Sequence, residues 1–266
     1  MQIFEPSGVV SLTTDLGHKG PYVATMKGVI LGRFRQAHIV DLTHDVLVHW
    51  PAEAGFWISK SYRYFPVGTV HLGVVDPAGR AGLDVLVIEY DGHCFVVPDN
   101  GLLGHIDPAT ARIHRLDPRK TPALGLPAPS ATFHGRDIFA PLGADLASGK
   151  LTPSMIGPRI HELVPSWLDM PETHGGELRG AVVTTDNFGN LISNISEEML
   201  ARYINPVVEI TGRIVPIRKS YAQASPGEYL ALVNAFGVLE VARAEESAAA
   251  GLGVERGVAV TVRERS

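Results

Sequence analysis

VVSLTTD (residues 9 to 15), PYVATMKGVILGRF (21 to 34) and HIVDLTH (38 to 44) follow one another closely, and their order decides the fold. The first and third are short apolar runs of strand length. In the second, Val23, Met26, Val29, Ile30 and Phe34 recur at helical spacing behind Pro21, a residue suited to a first helical turn. AEAGFWISKSYRYF (52 to 65) and TVHLGVVD (69 to 76) continue the alternation. Strand, helix, strand, helix, strand predicts a parallel sheet with right-handed crossovers. Ligands of such sheets gather beyond the carboxyl ends of the strands. Asp15, Asp41 and Asp76 fall there, one per strand.

Further along, DVLVIEY and HCFVVPD flank Asp91-Gly92, a strong hairpin signal. Past Pro118 the chain turns rich in Pro and Ala, then offers one more helical stretch, DIFAPLGADLASG. The proline-bearing segment from Gly157 to Gly176 reads as a linker. After it come LRGAVVTTD, LISNIS, PVVEITG, RIVPIRK, YLALVN, VLEVAR and VAVTVRE, short strands between Gly and Pro turns, with SAAAGLG as a short helix. The fold class expected is α/β: an N-terminal parallel-sheet domain over residues 1–165, then a smaller, mostly antiparallel, barrel-like β domain over 177–266.

Bulk properties narrow the function. The 266 residues carry 23 Lys and Arg against 28 Asp and Glu, a net charge of −5 with no run of like charge, so neither nucleic acid nor an anionic membrane is an expected partner. The single cysteine, Cys94, forbids a disulfide framework or a cysteine zinc site within one chain and suits a reducing cytoplasm. MQIFEPSG lacks a basic region followed by an apolar one, and no apolar run approaches the roughly 20 residues that span a bilayer. GxxxxGK[ST], GxGxxG after a strand, GxSxG and HExxH are absent. The 11 histidines include no pair at tight ligand spacing, so no metal is expected.

What remains is a set of polar clusters at strand ends. Asp15 in TTDLG can accept two hydrogen bonds from a vicinal diol, as when a ribose is held. VVDPAGR places Asp76 and Arg80 at the mouth of the third strand; PDNGLLG (98 to 104) is a good turn. TFHGRDIFAP presents His134, Arg136 and Asp137 at a loop-to-helix junction, and TTDNFGNLISNI presents Asp186, Phe188 and Asn190 around a glycine. An aromatic ring beside a free amide suits a purine, which wants stacking on its face and hydrogen bonds at its edge. Taken singly, each cluster also reads as a cap or a turn.

Together, LTTDLG, PYVATMKGVI, VDLTHDV, GTVHLGVVDP, VPDNGLL, TFHGRDIFAP, DNFGNLISNI and NAFGVLEVA resemble, in that order over nearly the whole chain, the S-adenosylmethionine hydroxide adenosyltransferases, which share their fold with the fluorinases and chlorinases. The resemblance implies hydrolysis of S-adenosyl-L-methionine to adenosine and L-methionine by water or hydroxide at the ribose C5′. It implies no cofactor, and a homotrimer with its sites at subunit interfaces. By motif, Asp15 would hold the ribose hydroxyls, Asp186 the methionine end, and Phe188, Asn190, Asn234 and Phe236 the adenosine. Asp76, an arginine and His134 would handle the water. Relatives carry that arginine seven residues after the aspartate, where this chain has Leu83; either Arg80, the arginine of the loop, reaches the water, or Arg136 substitutes, or the hydroxide mechanism is weakened. Gly20 likewise stands where many relatives have an aspartate. Three rivals stay open: a halide-using adenosyltransferase, a non-catalytic binder of adenosine or S-adenosylmethionine, and a metal-dependent hydrolase.

Overall fold

The computed structural model describes residues 2–76 and 84–265. The chain divides into two compact units, Met1–Trp167 and Leu168–Ser266.

In the first unit the alternation read from the sequence is present as β1 (Val9–Thr14), α1 (Tyr22–Arg33), β2 (His38–Thr43), α2 (Pro51–Ser61) and β3 (Val70–Val74). β4 (Val85–Tyr90) and β5 (His93–Pro98) form the expected hairpin, with Asp91 and Gly92 both at positive φ as a two-residue turn of the primed type demands. β6 (Arg112–Arg115) and β7 (Arg159–Ile160) complete, among the described residues, a seven-stranded sheet in the order β2-β1-β3-β5-β4-β6-β7. β2, β1, β3 and β5 run parallel, whereas β4, β6 and β7 are joined antiparallel. The sheet is therefore mixed, because a tight hairpin can only reverse the chain.

Both faces of this sheet are covered, which is why its central strands are apolar without alternation. Leu12, Leu72 and Val96 pack with Met26, Ile30, Phe139 and Leu142 on one side; Phe95, Val97 and Ile88 pack with Ile58 and Leu102 on the other. Each such large buried side chain contributes about 1.5–3 kcal/mol. The helix expected around DIFAPLGADLASG begins as one π turn, Gly135–Phe139, that runs into α3 (Ala140–Ala147). Pro141 supplies the reason: it has no N–H to return to a carbonyl of the preceding turn.

After α4 (Pro153–Ile156) the stretch read as a linker docks on the first unit through Trp167. β7 pairs with β6, the Val164 N–H donates to Asp99 Oδ1 at 2.9 Å, and the Trp167 indole donates to the Asn100 carbonyl at 3.2 Å. Extended, proline-bearing backbone keeps its remaining N–H groups free; here that of Val164 finds the Asp99 carboxylate, and the Trp167 side chain adds a bond to the Asn100 carbonyl.

The second unit holds β8 (Glu172–His174), β9 (Glu177–Thr185), β10 (Leu191–Ser196), α5 (Glu197–Leu200), β11 (Pro206–Ile210), β12 (Arg213–Pro216), β13 (Tyr229–Val233), β14 (Val238–Arg243), α6 (Ala248–Leu252) and β15 (Ala259–Glu264). Seven of its strands and α6 match the seven strand-like segments and the short helix read from the sequence. The sheet order is β12-β11-β15-β9-β10-β14-β13, and an Ile217–Ala231 bridge brings its two ends together into a nearly closed barrel around Leu191, Val208, Leu239 and Val262. No helix among the described residues is long and apolar enough to cross a membrane.

Candidate active site

At the carboxyl ends of the parallel strands, β1 delivers Asp15 and β3 delivers Asp76. The two carboxylates share a neighbour. The His49 N–H donates to Asp15 Oδ2 at 3.1 Å, and His49 Nδ1 lies 3.4 Å from Asp76 Oδ1. Asp76 has φ +42°, a left-handed conformation that costs a non-glycine residue about 1–2 kcal/mol. Asn100 supports that backbone, its amide donating to the Val75 and Asp76 carbonyls at 2.9 and 3.2 Å. Asn100 belongs to the PDNGLLG turn, so its turn role and its hold on Asp76 are the same fact.

Asp41 is differently engaged. Lys27 Nζ sits 2.6 Å from its Oδ2 and His44 Nε2 3.0 Å from its Oδ1, while His44 Nδ1 lies 2.9 Å from Thr14 Oγ1. Burial pushes the Asp41 carboxyl up, but these two partners more than offset it and leave it below its ordinary value. Asp41 thus braces β2 against β1 and α1 and is not a free strand-end carboxylate.

His134 opens the π turn, whose Gly135 lies so close to β3 that a Cβ there would stand 3.0 Å from Met26 Sδ and 3.3 Å from Val74 Cγ1. The imidazole is therefore carried on a turn pressed against the end of the strand that delivers Asp76. Arg136 is occupied elsewhere: its guanidinium grips Asp137 at 2.6 and 3.0 Å, lies over the Phe133 ring, and lines a hollow with Val29 and Arg33. That grip holds the Asp137 carboxyl well below the ordinary range. Arg136 is consequently a poor substitute for a water-binding arginine. Arg80 and Leu83 lie outside the described residues.

In the second unit, two hairpins end in turns of the same kind. Asp186 Oδ1 accepts the N–H groups of Phe188 and Asn190, each at 2.9 Å, and the Asp186 N–H donates to the Asn190 carbonyl at 3.1 Å. Asn234 Oδ1 accepts those of Phe236 and Val238 at 3.0 and 3.4 Å, and the Asn234 N–H donates to the Val238 carbonyl at 2.9 Å. Gly189 and Gly237, at φ +82° and +68°, let each turn close. Both turns thereby present a phenylalanine, Phe188 at 76% exposure and Phe236 at 38%.

Asp186, Phe188 and Asn190 line a hollow of about 850 Å³ together with Tyr221, Arg243 and Ser247. Asn234 joins it at second hand, because its amide donates to Glu240 Oε2 at 3.2 Å and the Tyr221 hydroxyl donates to Glu240 Oε1. Glu240 is 2% exposed. Burial raises its carboxyl, an effect that the Tyr221 and Asn234 hydrogen bonds only partly offset. Burial and then Glu240 push the Tyr221 phenol up as well, so the phenol remains a donor. Sequence reading missed the Tyr221–Glu240 pair and the bridging place of His49. The visible signal for the first was a lone carboxylate inside VLEVAR; for the second it was a histidine just ahead of a helix-opening proline.

The SAM hydroxide adenosyltransferase N-terminal domain matches residues 10–157, and the C-terminal domain of the same name matches residues 180–261. The chain belongs to the SAM hydroxide adenosyltransferase family. It is 36% identical over 258 residues to a protein of Thermus thermophilus named (R)-S-adenosyl-L-methionine hydrolase, covering 94% of this chain and 98% of that one. It is 27% identical to a fluorinase of Actinoplanes, covering 96% of this chain and 97% of the fluorinase. That alignment extends over 295 residues, more than the 266 of this chain, so the fluorinase carries residues that this member of the family lacks. A solved structure from Thermotoga maritima superposes with a TM-score of 0.85 at 29% identity over 96% of this chain and 99% of that one.

Proposed function

We propose that this enzyme hydrolyses S-adenosyl-L-methionine to adenosine and L-methionine. The observation that carries the reading is the placing of Asp15 and Asp76 just past the carboxyl ends of the adjacent strands β1 and β3, with His49 in reach of both carboxylates, in a chain of this family. Asp15 holds the ribose hydroxyls. Asp76 and His134, with Arg80 as the cation, hold the attacking water beside C5′. Phe188, Asn190, Asn234 and Phe236 receive the adenosine, and Asp186 the methionine end.

The chemistry asks little more. A sulfonium is already a good leaving group, so the barrier falls mainly by in-line placement of the oxygen and exclusion of bulk water. As the C5′–O bond forms, the C5′–S bond breaks and its electrons return to sulfur, giving the neutral thioether of methionine. One water proton stays on the adenosine hydroxyl, and the other leaves through the hydrogen-bond acceptors around the water.

Each unit carries part of this constellation, and Phe188 is largely exposed. The family resemblance implies a homotrimer in which the two parts are contributed by different subunits, and the exposure of Phe188 leaves its ring open to a neighbouring subunit. The single cysteine supports a cytoplasmic setting. The extra residues of the Actinoplanes fluorinase favour water over halide as the nucleophile here.

The test is incubation of EDTA-treated protein with S-adenosyl-L-methionine, with and without chloride, following adenosine and methionine by chromatography. Equal amounts of both, unchanged by EDTA or chloride, are expected. A chlorinated nucleoside would overturn the choice of nucleophile, loss on chelation would favour the metal-dependent rival, and binding without turnover would leave a non-catalytic binder. Asp76→Ala is expected to abolish turnover; if Arg80→Ala leaves it intact, Arg80 is a loop residue only.

A further inference from the structure

His49 is built in an unusual way for a turn residue. Its turn is fixed at both ends: the Trp50 N–H donates to the Leu47 carbonyl at 3.0 Å, and the Leu47 N–H donates to Glu53 Oε2 at 2.9 Å, from a glutamate buried on α2. Within it His49 sits at φ +60°, where glycine or asparagine would be the ordinary choice. Its side chain is 72% exposed, so packing does not explain the ring. What the ring and the backbone do touch is informative. The N–H reaches Asp15 and the imidazole reaches Asp76, residues 34 positions back and 27 positions on, at the ends of two different strands.

We infer that His49 is a positioning residue for the reaction, its backbone fixing the ribose-holding carboxylate and its ring fixing the water-handling one, so that C5′ and the attacking oxygen are registered against each other. The inference rests on the roles proposed above for Asp15 and Asp76. It adds a division of labour within one residue, and that division can be separated by substitution. His49→Gly keeps a backbone at ease at positive φ and deletes the ring. His49→Asn keeps the conformational preference and restores a short polar side chain that donates. His49→Val deletes the ring and also disfavours the left-handed backbone.

The experiment measures kcat and KM for S-adenosyl-L-methionine and the Kd for adenosine in all three variants, with thermal melting to confirm folding. His49→Gly should lower kcat by about 10- to 100-fold while KM and Kd stay within about twofold, since misplacement of a reacting group costs rate and not ground-state binding. His49→Asn should regain part of the lost kcat. His49→Val should in addition raise KM and Kd by about 5-fold or more, because the Asp15 carboxylate loses its fixed donor. A His49→Gly enzyme with wild-type kcat would overturn the inference, as would one in which kcat and KM worsen together without recovery in His49→Asn. If His49→Val does not fold, the Gly and Asn pair still decides. Failure of the parent reading looks different: wild-type protein that neither turns over nor binds adenosine overturns the proposed function and this inference with it.

Discussion

Asn100 holds Asp76 by its backbone and not by its carboxylate. The Asn100 amide nitrogen donates to the carbonyls of Val75 and Asp76, and its Oδ1 accepts the Leu102 N–H at 3.3 Å, so one side chain ties the end of β3 to the turn after β5. Asn100→Ala leaves two carbonyls without that donor, at a cost of about 1–3 kcal/mol. It also frees Asp76 from its left-handed conformation. The expected outcome is a lower melting temperature together with a kcat reduced about tenfold, as for other small misplacements of reacting groups. Asn100→Asp should behave alike, since it keeps the acceptor and loses the donor. Given the role proposed for Asp76, unchanged kcat in both would show that it is positioned by something other than Asn100.

Phe188 makes the opposite kind of prediction. A ring that is 76% exposed contributes little to the core, so Phe188→Ala should melt within a degree or two of wild type. If the ring stacks on adenine, the same variant should weaken adenosine binding by about 1–3 kcal/mol, the usual value of a base on an aromatic side chain. Calorimetric titration with adenosine measures this without depending on turnover. Equal affinity in the variant would remove Phe188 from the site.

Gly189 and Gly237 occupy equivalent turns but meet different surroundings. A Cβ at Gly189 would stand 2.1 Å from Ser247 Oγ, whereas at Gly237 it meets nothing within 4 Å. Gly237→Ala therefore carries only the strain of a left-handed alanine, about 1–2 kcal/mol. Gly189→Ala carries the same strain and must also displace the start of α6, whose Ala249 N–H donates to the Gly189 carbonyl at 2.9 Å. Denaturant unfolding should rank Gly189→Ala as clearly the more destabilised, and it should raise KM as well, because the turn that presents Phe188 shifts. Equal destabilisation would mean that the Ser247 contact relaxes at no cost.

Local pattern carried most of the architecture. Alternation of strand and helix fixed α1, α2 and the strands around them, Asp91-Gly92 fixed the β4–β5 hairpin, and glycine and proline punctuation marked the strands of the barrel. β6 and β7 were illegible because four residues such as RIHR, or two such as RI, carry no period. The docking of residues 157–167 was illegible because it depends on Asp99 and Asn100, more than sixty positions earlier. The same holds for the candidate site. Asp15, Asp76, His134, Asp186, Phe188 and Asn190 sit in short recognisable clusters, whereas the His49 bridge and the Tyr221–Glu240 pair exist only once distant segments are brought together.

Inside the first unit, Ser11, His71 and His93 form a buried chain, with Ser11 Oγ 2.7 Å from His71 Nδ1 and His71 Nε2 3.1 Å from His93 Nδ1; the His71 ring stacks on Phe95. Burial, and then the neighbouring His93, pushes His71 down from 6.5 to about 3. A histidine so depressed is neutral in the folded protein, while the unfolded chain takes up its proton near 6.5. Its contribution is therefore full above pH 6.5 and is lost as the pH falls from 6.5 toward 3, at a limiting slope of about 1.4 kcal/mol per pH unit. Denaturant unfolding at pH 7 and pH 5 should show this loss in wild type. In His71→Phe combined with Ser11→Ala, which removes the ring nitrogens and the hydroxyl that would otherwise be orphaned, the difference between the two pH values should shrink by up to about 2 kcal/mol. An unchanged pH dependence in the double variant would place the acid sensitivity of the fold elsewhere, first at His93 and His105, which burial also lowers.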